Sequence, residues 1–364
     1  METTLIMVGE SLKINIPFLE YIDSHIHQHV KIPKQKIFLD KSTKNLFEIL
    51  EKILEQSEQT LIVSSKDSFN LVGKVISTLN EDVLELQGNT LVPSKFEKYS
   101  NNSYLINYKD KKVNVIRAKE NEELPQIFLT HKSGSTFFSL IGLDNDGAKV
   151  LLQPIADTYE VKLTSTSIAE GWSFTEATAC KYGNLKKFLI SVKSLFPNKY
   201  IANDNILNHI VDSLAIANKT VSLAESCTGG RIATMLTSVS GSSKTFNGSV
   251  VSYSNDIKKE WLGVSSSTLK NHGAVSEACI KEMLKGILNK SSSDFAIATS
   301  GIAGPNGGTK SKQVGTVFVG ACAKNGEIMI ERVLLKGSRK YIQMQSSYHA
   351  LRLFLHVGKD IFFK

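Results

Sequence analysis

The sequence is poor in cysteine and has no long apolar run. Its four cysteines, among 364 residues, are 43 to 52 positions apart, and the absence of any C-x-x-C pair excludes a zinc knuckle or a thioredoxin-like redox motif. The sequence contains no run of about 18 apolar residues, which is the length that spans a membrane. The first ten residues, METTLIMVGE, lack the basic start of a secretory signal. These absences predict a soluble, cytoplasmic protein with reduced, mostly buried thiols.

Positive charge is concentrated in the second part of the chain. Residues 1–200 carry 24 basic and 24 acidic side chains, whereas residues 201–364 carry 19 and 11 and therefore hold the whole net charge of +8. Four of the five arginines also lie there. Because guanidinium groups bind phosphates and carboxylates through paired hydrogen bonds, an anionic ligand is one interpretation. A solvated basic surface is the other.

The pattern of apolar residues predicts a multi-domain α/β protein with domains at 1–125, 126–203 and 204–364. Strands alternate with amphipathic helices over the first domain, which is typical of a mainly parallel sheet. The charged, turn-rich stretch AKENEELP (118–125) marks the first boundary. The middle stretch predicts a small α+β domain, and from Asp204 onward strands and helices alternate again.

The segment AESCTGGR (224–231) places Ser226 at a predicted strand-to-helix turn. Such a turn exposes the hydroxyl, and free N–H groups at the start of a helix can hold a developing oxyanion. Gly229 and Gly230 would let a substrate approach the backbone. Ser226 is therefore a candidate nucleophile, with an ordinary N-cap serine as the alternative. We expect its neighbour Cys227 to be a buried structural thiol.

The segment YSNDIK (253–258) follows a predicted strand and offers a candidate base. The sequence has no G-x-S-x-G elbow with a matching histidine and aspartate. A lysine can serve as the base when burial or a neighbouring charge lowers its pKa, and a tyrosine can pass the proton. Lys258 and Tyr253 are thus candidates, although Lys258 taken alone reads as a surface lysine.

Two further features have more than one interpretation. The glycine-rich loop GIAGPNGG (301–308) could cradle a phosphate or only connect two strands, and it matches neither a P-loop nor a dinucleotide-binding motif. His25, His27 and His29 lie in a predicted helix, but no H-E-x-x-H motif accompanies them. We predict a solvated helix end there and no metal site.

Five blocks, AESCTGG, SGSSKTFNG, YSNDIK, GAVSE and SGIAGPNGG, together resemble the C-terminal domain of CinA proteins over about residues 203–357. The resemblance implies an α/β/α domain that hydrolyses the carboxamide of nicotinamide mononucleotide, releasing ammonia and nicotinate mononucleotide, with no metal or other cofactor. It implies a nucleophile at Ser226, a base at Lys258, and at Tyr253 a residue that relays or orients the proton. It also implies that backbone N–H groups around residues 228–230 hold the oxyanion. The substrate-binding positions that it implies are Thr228, Gly229, Gly230, Gly301, Gly304 and Arg339. Two departures from the family pattern, GSR (337–339) for GDR and Gln313 for a proline, leave the implied chemistry untouched.

The N-terminal part resembles the molybdopterin-binding domain of full-length CinA proteins, an α/β sandwich of the MoaB and MogA type, which some members use to hydrolyse ADP-ribose with a divalent metal. The usual VGDELL is VGESL here (8–12), and GGLGPTxDD has become VSSKDS (63–68). The phosphate-binding glycines and the acidic pair are missing, so we expect the fold without the site. The middle part, with GNLKKF (183–188), resembles the family's KH-type domain but lacks the G-x-x-G loop that clamps nucleic acid.

The leading hypothesis is therefore a nicotinamide mononucleotide amidohydrolase of pyridine-nucleotide salvage. One alternative is ADP-ribose pyrophosphatase activity, or pterin or nucleotide binding, by residues 1–125. Another is a non-catalytic role, related to competence or DNA damage, through protein partners. The resemblance also implies a homodimer, and we expect neither a membrane nor a nucleic acid as partner.

Overall fold

The computed structural model describes residues 2–30, 33–129, 134–202 and 205–364. The chain forms two compact units, Met1–Ser133 and Gly134–Lys364. Both units combine sheets with helices, which confirms the predicted multi-domain α/β class. Among the described residues, no helix has the length and the apolar character needed to cross a bilayer.

The described part of the first unit contains eight strands and four helices. The strands are β1 (Thr3–Val8), β2 (Gln35–Leu39), β3 (Gln59–Ser65), β4 (Leu84–Gln87), β5 (Thr90–Pro93), β6 (Phe96–Ser100), β7 (Ser103–Tyr108) and β8 (Lys111–Ala118). The helices are α1 (Ser11–Ile14), α2 (Ile16–Val30), α3 (Leu46–Gln56) and α4 (Phe69–Leu79).

Six of these strands form one sheet in the order β2-β1-β3-β8-β7-β6, and β4 and β5 form a separate hairpin. The first four strands of the sheet are parallel, as the alternation of strands and helices predicts. Every residue of β1 and β3 is buried, because helices cover both faces of the sheet. One apolar core lies under α3 and α4, and a second lies under α2.

The carboxyl ends of β1 and β3 meet where the strand order reverses, which is the usual ligand crevice of an open parallel sheet. Here Gly9, after β1, packs tightly against Ser65, the last residue of β3. A Cβ on Gly9 would lie 2.3 Å from the Ser65 hydroxyl, and Ser65 and Ser68 hydrogen-bond to each other at 2.9 Å. The loop VSSKDS thus packs closely against Gly9 at this edge of the sheet.

The first unit continues beyond the predicted boundary at residue 125. Leu124, Ile127 and Leu129 are buried in the core under α2, so the charged stretch 118–125 lies within the unit. The division into three domains stays a prediction, and its second boundary, at Asn203 and Asp204, lies outside the described residues.

The second unit begins with a four-stranded antiparallel sheet in the order β10-β11-β9-β12. The elements are β9 (Ser135–Ile141), α5 (Asn145–Thr158), β10 (Val161–Ala169), β11 (Trp172–Ala179), α6 (Leu185–Leu195) and β12 (Tyr200–Ile201). Helices α5 and α6 pack on one face of this sheet. The predicted small α+β arrangement is therefore present.

A second sheet of this unit has the order β14-β13-β15-β16-β17. Its strands are β13 (Val221–Glu225), β14 (Phe246–Val251), β15 (Phe295–Gly301), β16 (Thr316–Ala323) and β17 (Ile328–Leu334). The helices are α7 (Ile206–Ile216), α8 (Arg231–Thr237), α9 (Asn255–Leu262), α10 (Ser266–Asn271), α11 (Glu277–Ser291), α12 (Arg339–Val357) and α13 (Lys359–Phe362). Because β13 is parallel to both β14 and β15, the carboxyl ends of these three strands share one edge.

The two sheets of the second unit share an apolar core. Ile141, Trp172 and Ile201, from the antiparallel sheet, belong to the same buried cluster as Leu351 and Phe354 of α12. Residues 134–202 are therefore packed against the last long helix and are not a free-standing linker.

Candidate active site

Ser226 lies directly after β13, at the shared carboxyl edge. Strand β13 is buried along its whole length, and the chain then passes through Gly229 and Gly230, with φ of +63° and +89°, before α8 begins. Glycine fits these two positions because other residues rarely adopt a positive φ. The predicted strand-to-helix turn is present, but Ser226 is only 8% exposed and lines a cleft.

Lys258 reaches this serine from the neighbouring strand's side. The chain leaves β14, passes Ser254, whose hydroxyl caps α9, and brings Lys258 inward on the first turns of that helix. The Lys258 Nζ lies 3.1 Å from Ser226 Oγ and also donates to the main-chain carbonyl of Ser252. The structure thus joins two predicted residues that are 32 positions apart.

Burial makes this lysine unusual. Its side chain is 1% exposed, and its surroundings lower the pKa of the Lys258 amine, chiefly because desolvation disfavours the charged form. No carboxylate forms an ion pair with it among the described residues. Because the side chain is buried, the interpretation of Lys258 as a surface lysine is wrong. A lowered pKa favours the neutral amine, which is the form that a base requires.

Tyr253 lies at the mouth of the cleft and is 62% exposed. Its hydroxyl accepts a hydrogen bond of 2.6 Å from Arg339, which also donates to the carbonyl of Gly304 at 2.7 Å. In the described chain, no hydrogen bond joins Tyr253 to Ser226 or Lys258. The amine contacts the serine directly, and the role of Tyr253 stays a prediction.

Glu225, the last residue of β13, is the main residue that the sequence reasoning missed. Its carboxylate is fully buried and accepts hydrogen bonds from the loop and from the start of α8. The donors are the Thr228 hydroxyl at 2.7 Å, the backbone N–H groups of Gly230, Ile232 and Ala233 at 3.0, 3.2 and 2.9 Å, and the Ser249 hydroxyl at 3.3 Å. The signal was present in the sequence, since an acidic residue at the end of a buried strand needs partners.

Two of the backbone N–H groups at residues 228–230, which are expected to hold an oxyanion, donate within the protein in this structure. The Gly230 N–H donates to Glu225, and the Gly229 N–H donates to the Ser226 carbonyl at 3.1 Å. Of the three N–H groups, that of Thr228 has no acceptor within the described chain. The Thr228 side chain itself points to Glu225 and Thr299, away from the cleft.

The cleft has a volume of about 260 Å³ and is open to solvent on one side. Of the six positions expected to bind substrate, Gly301, Gly304 and Arg339 line it, whereas Thr228, Gly229 and Gly230 do not. The glycine-rich loop therefore forms one wall, and a Cβ on Gly301 would lie 2.9 Å from the Thr316 carbonyl. Polar residues of the lining that were not predicted are Asn255, Ser300 and Asn306.

Cys227 also lines the cleft, but it has the character of a structural thiol. It is buried, and burial raises the pKa of its thiol to about 12. The thiolate is thus strongly disfavoured at neutral pH, as expected for this residue. Gln343 of α12 donates to the Cys227 carbonyl at 2.9 Å and braces the loop from the other side.

The three histidines of α2 belong to the first unit, whereas the cleft belongs to the second. The rings of His25 and His29 are 5.0 Å apart, and partial burial lowers the pKa of His25. Among residues 2–30, 33–129, 134–202 and 205–364, no group of three His, Cys, Asp or Glu side chains has the geometry to hold a metal ion.

The C-terminal part of the second unit is thus an α/β domain with a serine and a buried lysine hydrogen-bonded at the carboxyl edge of its sheet. Residues 203–357 match the model of the CinA C-terminal domain. CinA-like proteins of Thermotoga maritima and Prochlorococcus marinus are 44% and 39% identical over 153 and 196 residues. Residues 203–357 thus form a domain of the CinA C-terminal family.

These similarities cover only part of each protein. The two alignments span 42% and 53% of this chain and 37% and 45% of the relatives, so the chain matches less than half the length of these curated relatives. The crystal structure of the competence/damage inducible protein CihA from Agrobacterium tumefaciens is 36% identical, with a TM-score of 0.42. That match covers 42% of this chain and 94% of the solved one.

Proposed function

We propose that the C-terminal domain is an amidohydrolase that converts nicotinamide mononucleotide to nicotinate mononucleotide and ammonia. The observation that carries the proposal is the 3.1 Å contact between the buried Lys258 amine and Ser226 Oγ inside a cleft. A lysine whose pKa is lowered by burial can take the proton of a serine that attacks a carbonyl. The choice of this substrate rests on the resemblance of five sequence blocks to CinA deamidases.

The proposed reaction has two steps. In the first, Ser226 Oγ attacks the carboxamide carbon while Lys258 takes the hydroxyl proton, and Lys258 then gives this proton to the departing ammonia. An ester with Ser226 remains. In the second step, water attacks the ester, Lys258 takes a proton from the water, and the proton returns to Ser226 as the nicotinate nucleotide leaves.

The cleft also fits an anionic substrate. Lys258 and Arg339 are the basic residues of its described lining, and acidic side chains are absent from that lining. Arg339 lies at the mouth, where its guanidinium bonds to Tyr253 and Gly304. We assign the nucleotide phosphate to this end, because a guanidinium offers several N–H donors in a fixed plane.

The test is the identification of the product. The full chain is incubated with nicotinamide mononucleotide, nicotinamide riboside or nicotinamide, with and without a chelator, and ammonia and the nicotinate product are measured. We expect release from the mononucleotide that persists with the chelator, and much slower release from the two compounds without phosphate. No release from the mononucleotide by folded protein would contradict the proposal.

The proposal also predicts a pH dependence. Only the neutral Lys258 amine can accept a proton, and burial lowers its pKa from the ordinary value of 10.5. We therefore expect kcat/KM for ammonia release to rise with pH and then level off, with the midpoint of the rise below pH 10.5. A rate that falls over this range, or a midpoint at the ordinary lysine value, would contradict the role of Lys258 as the base.

The alternative functions have less support. In the first unit the phosphate-binding glycines and the acidic pair are missing from VSSKDS (63–68), and Ser65 packs closely against Gly9. Roles through protein partners, and the predicted homodimer, stay predictions.

A further inference from the structure

The buried carboxylate of Glu225 has no basic partner within the described chain, yet five hydrogen bonds converge on it. Three come from backbone N–H groups and two from hydroxyls. Burying a carboxylate is costly unless it is fully hydrogen-bonded, so this network is specific and occupies both oxygens.

The network determines the shape of the loop that carries Ser226. One oxygen of Glu225 bonds to Thr228 and to Gly230, and the other bonds to Ala233, so the carboxylate joins residues 228–233 to the end of β13. These contacts cap the first turn of α8, where no side-chain cap comes from Gly230. Ser226 lies in the chain between Glu225, at the end of β13, and residues 228–233, which the carboxylate holds.

The main chain of Glu225 also leads to the base. Its carbonyl accepts from the Ser252 N–H at 2.7 Å, and the Ser252 carbonyl in turn accepts from the Lys258 amine. Glu225 thus contacts the loop of the nucleophile with its side chain and the support of the base with its backbone. Its carboxylate neither lines the cleft nor bonds to the amine.

We propose that Glu225 is a positioning residue, whose carboxylate fixes the Ser226 hydroxyl relative to the Lys258 amine and exchanges no proton itself. The expected effect on kcat rests on the proposed function, since it concerns the same site.

The main test is Glu225→Gln in the full chain. Glutamine keeps the size but turns one acceptor into an NH₂ group that faces N–H and O–H donors, so the loop must shift. A misplacement of about 1 Å can cost roughly 10²-fold in rate, and we expect a fall in kcat of this order. KM stays unchanged because Glu225 is outside the cleft lining, and the midpoint of the pH profile stays unchanged because the carboxylate does not contact Lys258.

Glu282→Gln is the matched control. The Glu282 carboxylate likewise accepts from the Ser265 N–H at 2.7 Å and from the Thr268 hydroxyl at 2.7 Å, and it fixes the junction of α9 and α10 outside the cleft. We expect this variant to keep the kcat of the unmodified chain. It measures what the loss of a structural carboxylate does by itself.

A second readout does not depend on the substrate. The rate at which a fluorophosphonate labels Ser226 reports the reactivity of the serine directly, and we expect Glu225→Gln to slow it by a similar factor. If the unmodified chain labels at Ser226 but releases no ammonia, the proposed function fails while the labelling rates still test the role of Glu225.

Folded Glu225→Gln protein with unchanged labelling and kcat would overturn the inference, as would a shift of its pH midpoint. If this variant does not fold, Thr228→Val removes one donor to Glu225 while keeping the shape of the side chain. It should slow labelling in the same direction by a smaller factor, and unchanged labelling in folded Thr228→Val would equally overturn the inference.

Discussion

Lys258→Met is expected to lower the rate of ammonia release by about 10²–10⁴-fold, the usual contribution of a general base. Methionine has a similar length and suits a buried position, but it cannot take a proton from Ser226 Oγ, which lies 3.1 Å from the lysine amine. The measurement is kcat for nicotinamide mononucleotide in folded protein, together with the labelling of Ser226 by a fluorophosphonate. Both should fall.

Lys259→Met is the control for this prediction. Lys259 is the next residue of α9, pairs with Asp256 at the surface and lies outside the cleft. An exposed ion pair contributes little to stability, so this variant should match the unmodified chain in both assays. Equal losses in the two variants would contradict the assignment of the base to Lys258.

Trp172→Ala is expected to reduce the free energy of unfolding of the second unit by about 3–5 kcal/mol, the usual cost of truncating a buried aromatic side chain. Trp172 is 1% exposed although it lies outside the matched residues 203–357. Its indole N–H donates to the Ser139 hydroxyl at 3.0 Å, and its ring packs edge-to-face against Tyr348 of α12 at 5.8 Å. The loss of these contacts loosens the helix that carries Arg339 and Gln343.

The chain offers a matched control, because its second tryptophan, Trp261, is 50% exposed on α9. Trp261→Ala should change the free energy of unfolding by no more than about 0.5 kcal/mol, as is usual for a surface substitution. Denaturant unfolding followed by circular dichroism measures both variants. Equal stability of Trp172→Ala and the unmodified chain would show that residues 134–202 contribute no essential packing to the second unit.

The local geometry around Ser226 was predictable because one short segment determines it. The run AESCTGG ends a buried strand and contains two glycines, so it indicates a tight turn that presents Ser226. The sequence also contains the signal for the caps, since Ser276 and Ser338 precede their helices and accept hydrogen bonds from Cys279 and Tyr341.

What the sequence could not provide is the set of contacts that depends on strand order. Lys258 meets Ser226 because β13 and β14 are adjacent and parallel, with Glu225 opposite Val251, and nothing local to YSNDIK indicates this. The short, highly charged helix α9 has little apolar pattern, so its inward-facing lysine resembled a surface residue. Tyr253 and Arg339, 86 positions apart, likewise meet only through the tertiary fold.

The extent of the first unit likewise depends on tertiary contacts that the sequence does not indicate. The charged stretch 118–125 has the composition of a boundary, but Ile127 and Leu129 after it return to the core under α2. Isolated apolar residues in a segment without secondary structure give no periodic signal, so their burial follows only from the three-dimensional packing.

The most direct test of the central claim is ammonia release from nicotinamide mononucleotide by the full chain and by Ser226→Ala, with a chelator present. The account predicts release by the unmodified chain and a loss on the order of 10⁶-fold in the folded variant, as in other hydrolases that lose a serine nucleophile. Release that persists in Ser226→Ala, or its absence from the folded unmodified chain, would contradict the account.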